Sequence, residues 1–126
     1  MKIIIADDSK KAINNLQNSL KISFPDVVIK TCHIDTQQVE LSVKELRATV
    51  SLNQNETVVL LLDEDMGDIS GTSIYTEFLS KYSNIHFIST TAGDVKPGWA
   101  TYHFGGKFDL TNPRNQEKLE SLIKNI

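Results

Sequence analysis

The chain has 126 residues, 13 Lys and Arg against 16 Asp and Glu, a net charge of -3, and 40% hydrophobic residues. These values describe a single domain over 1–126, large enough to bury a core, without the basic footprint of a nucleic-acid binder. Cys32 is the only cysteine, which excludes an internal disulfide and suits a reducing cytosol. No run approaches the roughly 18 apolar residues of a membrane span, and the apolar run near Met1 is too short for a signal peptide. A cytoplasmic protein without membrane or nucleic-acid contacts is expected.

Residues 2–6 predict a short buried strand, and Asp8 or Ser9 the cap of a helix with Ile13, Leu16 and Leu20 on one stripe. Phe24-Pro25-Asp26 ends that helix. Val27 to Cys32 predicts a second strand, and Asp35 or Thr36 caps a longer helix with Val39, Val43, Leu46 and Val50 inward. Asn53–Glu56 reads as a polar loop, Thr57 to Leu62 as a third strand, and about Thr72 to Tyr82 as a third helix with Ile74, Phe78 and Leu79 inward. Ile85 to Ser89 predicts a fourth strand. Between Thr90 and His103, Gly93, Pro97 and Gly98 leave room for only a turn or two of helix. Tyr102 to Gly105 predicts a fifth strand, and Asn112-Pro113 opens a last helix lined by Leu119, Leu122, Ile123 and Ile126. Strands alternating with amphipathic helices imply an α/β fold, with a parallel sheet covered on both faces.

Polar groups collect at the strand ends. The first strand ends on Asp7-Asp8, the third on Asp63, the fourth on Thr90-Thr91-Ala92 and the fifth on Gly105-Gly106-Lys107. In open α/β sheets, sites form at the carboxyl ends of strands. Singly, each residue has a plainer role: an acid there caps the next helix, a threonine makes a turn, and a lysine is solvated surface. If the first and third strands are neighbours, three carboxylates converge, and like charges that close each tend to hold a proton. A hard divalent cation relieves this through oxygen ligands. The pattern suggests a small acidic metal site around a nucleophilic Asp63.

With these residues in this order, the whole chain resembles the receiver domain of bacterial response regulators. The resemblance implies a doubly wound, flavodoxin-like sheet of strand order 2-1-3-4-5. Asp63 matches the phosphoacceptor, with Met66 and Gly71 at the expected offsets. Asp8 matches a direct Mg²⁺ ligand and Asp7 a ligand through water, and the Asp65 main-chain carbonyl completes the set with Asp63. Thr91-Ala92 matches the hydroxyl and small-residue pair, Lys107 the lysine after the fifth strand, and Phe104 the aromatic switch position that works with Thr91. Asp65 and Gly93 flank the site and are expected to set how fast water removes the phosphate. Implied with these are Mg²⁺ as cofactor, a sensor histidine kinase or phosphotransfer protein as partner, an output partner or domain, and no enzyme activity beyond the chain's own aspartyl phosphorylation and dephosphorylation.

The chain departs from the family pattern in several places. Gly67 stands where proline is usual. Phe108 replaces the proline after the lysine, which bears on the cis peptide usual there. Phe104 lacks the hydroxyl of the commoner tyrosine. The span from Thr91 to Lys107 is short, so helix four is expected to be short or missing, and with it the usual dimer face; the span from Asp8 to Asp63 is long. The chain reads as a stand-alone receiver or as the front of a longer regulator.

Two other readings compete. Leu62-Asp63-Glu64-Asp65 also resembles the Asp-x-Asp nucleophile motif of haloacid-dehalogenase-type phosphatases, but the downstream acidic motif is missing and Asp7-Asp8 would have no role. A receiver-like interaction module working without phosphate is the stronger alternative. His33, His86 and His103 lack metal-ligand spacing and are expected to pack or face solvent, Cys32 to be a small buried hydrophobe, and Trp99 to plug the place of the missing helix.

Overall fold

The computed structural model describes all 126 residues. Eleven elements follow in order: β1 (Lys2–Asp7), α1 (Lys10–Ser23), β2 (Val28–His33), α2 (Val39–Leu52), β3 (Val58–Leu62), β4 (Asp65–Met66), β5 (Ile69–Ser70), α3 (Gly71–Lys81), β6 (Ile85–Ser89), β7 (Tyr102–His103) and α4 (Pro113–Lys124). The main sheet is parallel, in the order β2-β1-β3-β6-β7. This is the expected order 2-1-3-4-5, with β6 and β7 as the fourth and fifth strands of the sheet. Every peptide bond is trans, including the one before Phe108.

Alternation along the strands sorts the core into two layers. Ile4, Ala6, Leu60, Leu62 and Phe87 pack with Leu46, Val50, Ile74 and Phe78 of α2 and α3. Ile3, Ile5, Val59, Leu61 and Ile88 pack with Ile13, Leu16, Leu20, Leu119 and Ile123 of α1 and α4. All five residues of β3 are buried, which explains why its sequence is an unbroken apolar run rather than an alternation. The chain crosses to opposite sides of β1 to make β2 and β3. The strand order therefore reverses beside β1, and this is where a crevice opens at the carboxyl edge.

Several local expectations hold for identifiable reasons. Ser9 caps α1 by accepting from the Ala12 amide, and Asn112 caps α4 with Pro113 in its first turn. Others are corrected. Helix α2 starts at Val39, because Asp35 and Thr36 belong to a turn in which the Asp35 carboxylate accepts from the Gln37 amide. Ser70 caps α3, one turn position earlier than read from sequence. Leu79 is 56% exposed, not inward. Strand β7 covers Tyr102–His103 only. The helix expected to be short or missing is missing, since none forms between Thr90 and Thr101.

The two-residue hairpin β4–β5 had no sequence expectation. Its turn places Gly67 at φ +74, with Asp68 at negative φ. A positive φ at the first central residue alone is the II′ arrangement, which takes glycine and cannot take proline. Glycine at position 67, where the receiver pattern has proline, is therefore a local requirement of this chain.

Candidate functional site

Parallel register brings the strand ends to one edge. Ala6 lies opposite Leu62, and Leu62 opposite Ser89, so the residues that follow, Asp7-Asp8, Asp63 and Thr90-Thr91, leave the sheet side by side. The Asp63 amide donates to the Ala6 carbonyl and the Thr90 amide to the Leu62 carbonyl, which extends the ladder up to the site. Lys107 arrives from the far side of the sheet, its main-chain carbonyl held by Asn15 of α1 at 3.1 Å.

The side chains converge. Lys107 Nζ lies 2.6 Å from Asp7 Oδ2 and 3.3 Å from Asp63 Oδ1, and all three side chains are under a tenth exposed. Thr91 Oγ1 donates to Asp63 Oδ1 at 3.1 Å and accepts from the Glu64 amide at 2.8 Å. Asp7 Oδ1 accepts from the Ser9 amide at 2.9 Å. Carboxylate oxygens of Asp7, Asp8 and Asp63 lie within 4.8 Å of one another. The residues singled out from sequence as Asp7, Asp8, Asp63, Thr91 and Lys107 are thus brought together. Asp65 is exposed on β4 and lines, with Glu64, Thr91 and Ala92, an open cleft of about 380 Å³ beside the site.

Electrostatics follow from burial. Asp63 is pushed above the usual carboxylate range, first by burial and then by the neighbouring Asp7 charge, against the pull of Lys107 and Thr91. Asp7 is raised by burial as well, opposed by its bonds to Lys107 and the Ser9 amide. Three carboxylates face one ammonium, so the cluster holds more negative charge than its own cation offsets. This donor set of clustered carboxylate oxygens fits a hard divalent cation: the ion would lower the energy of both strained acids at once.

Phe104, the expected aromatic switch position, is buried. The pairs Ile88–Tyr102 and Ser89–His103 set the facing of β7, and Phe104 falls on the same side as Ile88, fully buried in the α1–α4 layer. His103 faces the opposite side. Its Nδ1 lies 3.0 Å from Ser89 Oγ, and its Nε2 lies 2.7 Å from the Gly93 carbonyl.

Two contributors were missed in the sequence, Glu64 and His33. Glu64 accepts from the Trp99 indole and from the Thr72 amide and hydroxyl; burial raises its carboxyl, but these bonds outweigh it and hold the group below its usual range. Trp99 stacks on Tyr75 at 5.4 Å and meets Phe87 edge-on at 6.4 Å, filling the place of the missing helix as expected. His33 donates from Nε2 to the Asp8 main-chain carbonyl at 2.9 Å, bracing that residue from β2. The polar partner of an indole or an imidazole is not visible in spacing alone.

No family model matches the chain, and no curated protein matches it. Among solved structures it is similar to the signal receiver domain of a DNA-binding response regulator from Colwellia psychrerythraea 34H, with a TM-score of 0.69 and 23% identity over 98% of both chains. The chain has the fold of a response regulator receiver domain.

Proposed function

We propose that this protein is a phosphoacceptor receiver domain: Asp63 takes a phosphoryl group from a phosphohistidine on a sensor histidine kinase or phosphotransfer protein, and the modification alters a surface read by an output partner or domain. The single observation that carries the reading is the convergence of Asp7, Asp8, Asp63, Thr91 and Lys107 at one sheet edge. The shared fold is consistent with it.

In this reading an Asp63 carboxylate oxygen attacks phosphorus, the phosphorus–nitrogen bond to the donor imidazole breaks, and the imidazole leaves with the electron pair and takes a proton. Lys107, already 3.3 Å from Asp63 Oδ1, follows the new charge onto the phosphoryl oxygens. The Thr91 hydroxyl, now donating to Asp63, transfers that bond to a phosphoryl oxygen. Asp8 and Asp63 would hold Mg²⁺ with the Asp65 main-chain carbonyl, and Asp7 through water. The bound ion supplies neutralisation of charge on the transferring group. The chain does not turn over an external substrate; it catalyses only the formation and hydrolysis of its own acyl phosphate. The lack of a helix between Thr90 and Thr101 favours, as a second reading, an interaction module of the same fold that works without phosphate.

Intact-mass spectrometry after incubation with acetyl phosphate, with and without Mg²⁺, separates the two. One Mg²⁺-dependent phosphoryl adduct, absent in Asp63→Asn, is the expected result. An adduct that persists in Asp63→Asn would overturn the acceptor assignment. No adduct from either acetyl phosphate or a phosphohistidine donor would favour the phosphate-independent module.

A further inference from the structure

We infer that His103 is the positioning residue that holds the Thr91 hydroxyl on Asp63, by clamping the main chain two residues beyond Thr91 to the end of the edge strand β7. The inference rests on the receiver reading above and adds a regulatory element to the same site.

Thr91 opens a segment without helix, so no regular element braces it from behind. What braces it is Gly93. The Gly93 carbonyl can only accept, so His103 Nε2, at 2.7 Å, carries the proton. In the neutral ring, Nδ1 then accepts from Ser89 Oγ at 3.0 Å, and Ser89 is fully buried at the end of β6. Both ring nitrogens are therefore engaged, one on the sheet and one on the segment after Thr91. The Gly93 amide donates to the Gly105 carbonyl at 3.1 Å, so both main-chain polar groups of Gly93 are held by β7 and the residues just after it. This close approach needs glycine at position 105, because an added Cβ would run into the Gly93 main chain.

The consequence works in two directions. In the unmodified protein the clamp keeps Thr91 within hydrogen-bond reach of Asp63 Oδ1 and the Glu64 amide, and so keeps the acceptor carboxylate in one orientation. After phosphorylation, the move of the Thr91 hydroxyl toward a phosphoryl oxygen pulls on Gly93, and His103 passes that displacement to β7, which has no strand beyond it. Phe104, packed in the opposite layer, lies outside this route. His103, with the exposed edge beside it, carries this relay from Gly93 to β7.

The test compares His103→Phe, which removes both ring bonds, His103→Gln, which can still donate to the Gly93 carbonyl, and Gly105→Ala, which pushes Gly93 away with His103 intact. Phosphorylation by acetyl phosphate with Mg²⁺ is timed by intact mass, and amide spectra are recorded before and after modification. Misplacement of a positioned group predicts phosphorylation slowed about tenfold in His103→Phe and Gly105→Ala, with His103→Gln within about threefold of wild type. Phosphorylation of the wild type shifts the Gly93, Tyr102 and His103 amides, whereas in His103→Phe the shifts stop at Gly93. A merely structural role would lower thermal stability without truncating that spread. Rates within about twofold of wild type in both disruptive variants, with an unchanged spread of shifts, overturn the inference alone. Absence of any adduct on the wild type, from acetyl phosphate and from a phosphohistidine donor alike, overturns the receiver reading and the inference together. If His103→Phe fails to fold, Gly105→Ala decides the matter.

Discussion

Replacing Lys107 with methionine keeps the side-chain stem and removes the only cation in the acid cluster. Asp7 has no exposed surface, and Lys107 Nζ is 2.6 Å from it. Deleting one member of a buried, hydrogen-bonded charge network costs about 3–5 kcal/mol, because the remaining charge is left uncompensated. Here the lower end applies, since the Ser9 amide still donates to Asp7 and the acid can take up a proton instead. That escape fixes the pH dependence. Asp7 and Asp63 already lie above their usual carboxylate values, so the folded state binds protons that the unfolded state releases, and stability falls as pH rises through the window between the two values. Without Lys107 both acids rise further and the window extends upward. Each extra proton held contributes a slope of about 1.4 kcal/mol per pH unit. Urea unfolding in metal-free buffer at several pH values measures this. At neutral pH, Lys107→Met should lose about 3 kcal/mol, or about 2 M in the urea midpoint at an m-value near ~1.5 kcal/mol/M. The deficit should shrink on acidification, as the raised acids take up protons, and Asp7→Asn combined with Lys107→Met should recover most of it. A loss below about 1 kcal/mol with pH curves parallel to wild type would refute the idea that Lys107 compensates a buried charge.

Other outcomes follow from single features. Gly67→Pro installs the residue of the receiver pattern, but proline cannot reach φ +74, so stability should fall by at least ~2 kcal/mol; an unchanged melting temperature would mean the hairpin turn is wrong. Trp99→Ala should cost about 2–3 kcal/mol, less than a fully buried tryptophan, through lost packing on Tyr75 and Phe87; a loss confined to partner binding would make Trp99 a contact residue instead of a plug. Thr90 Oγ1 is buried without a partner, so Thr90→Val should gain about 1 kcal/mol in chemical denaturation, and a comparable loss would show that the hydroxyl is bonded. Mg²⁺ should raise the melting temperature at neutral pH by relieving the repulsion among Asp7, Asp8 and Asp63, and Asp8→Ala should abolish that gain; the same gain in Asp8→Ala would place the ion elsewhere.

Much of this architecture is written in short stretches of chain. The apolar runs at Ile3–Ala6 and Val58–Leu62, the helical stripes, and the caps at Ser9 and Asn112 depend on neighbours within a few residues, so periodicity and capping chemistry expose them. The acids at the ends of β1 and β3 are legible for the same reason: once a parallel sheet is inferred, strand ends fall on one edge. What stayed hidden depends on facing and on distant partners. Leu79 matches the helical stripe but remains exposed. The two-residue pairing of β7 turns Phe104 into the α1–α4 layer and turns His103 out toward Gly93; a shift of one residue in a strand exchanges faces completely.

By itself, then, the sequence determined the fold class and the identity of the acids, threonine and lysine at the sheet edge, because local hydrophobic period and strand-end chemistry are short-range properties; the strand order came from the family resemblance those residues carry. Only the tertiary structure decided that Lys107 lies closer to Asp7 than to Asp63 across 100 residues of chain, that Trp99 closes over Glu64 in place of a helix, and that His103 grips the segment behind Thr91. Those contacts join groups distant in sequence whose partners are chosen by burial: each polar atom enclosed by the packed layers takes the complementary group that the same packing delivers to it.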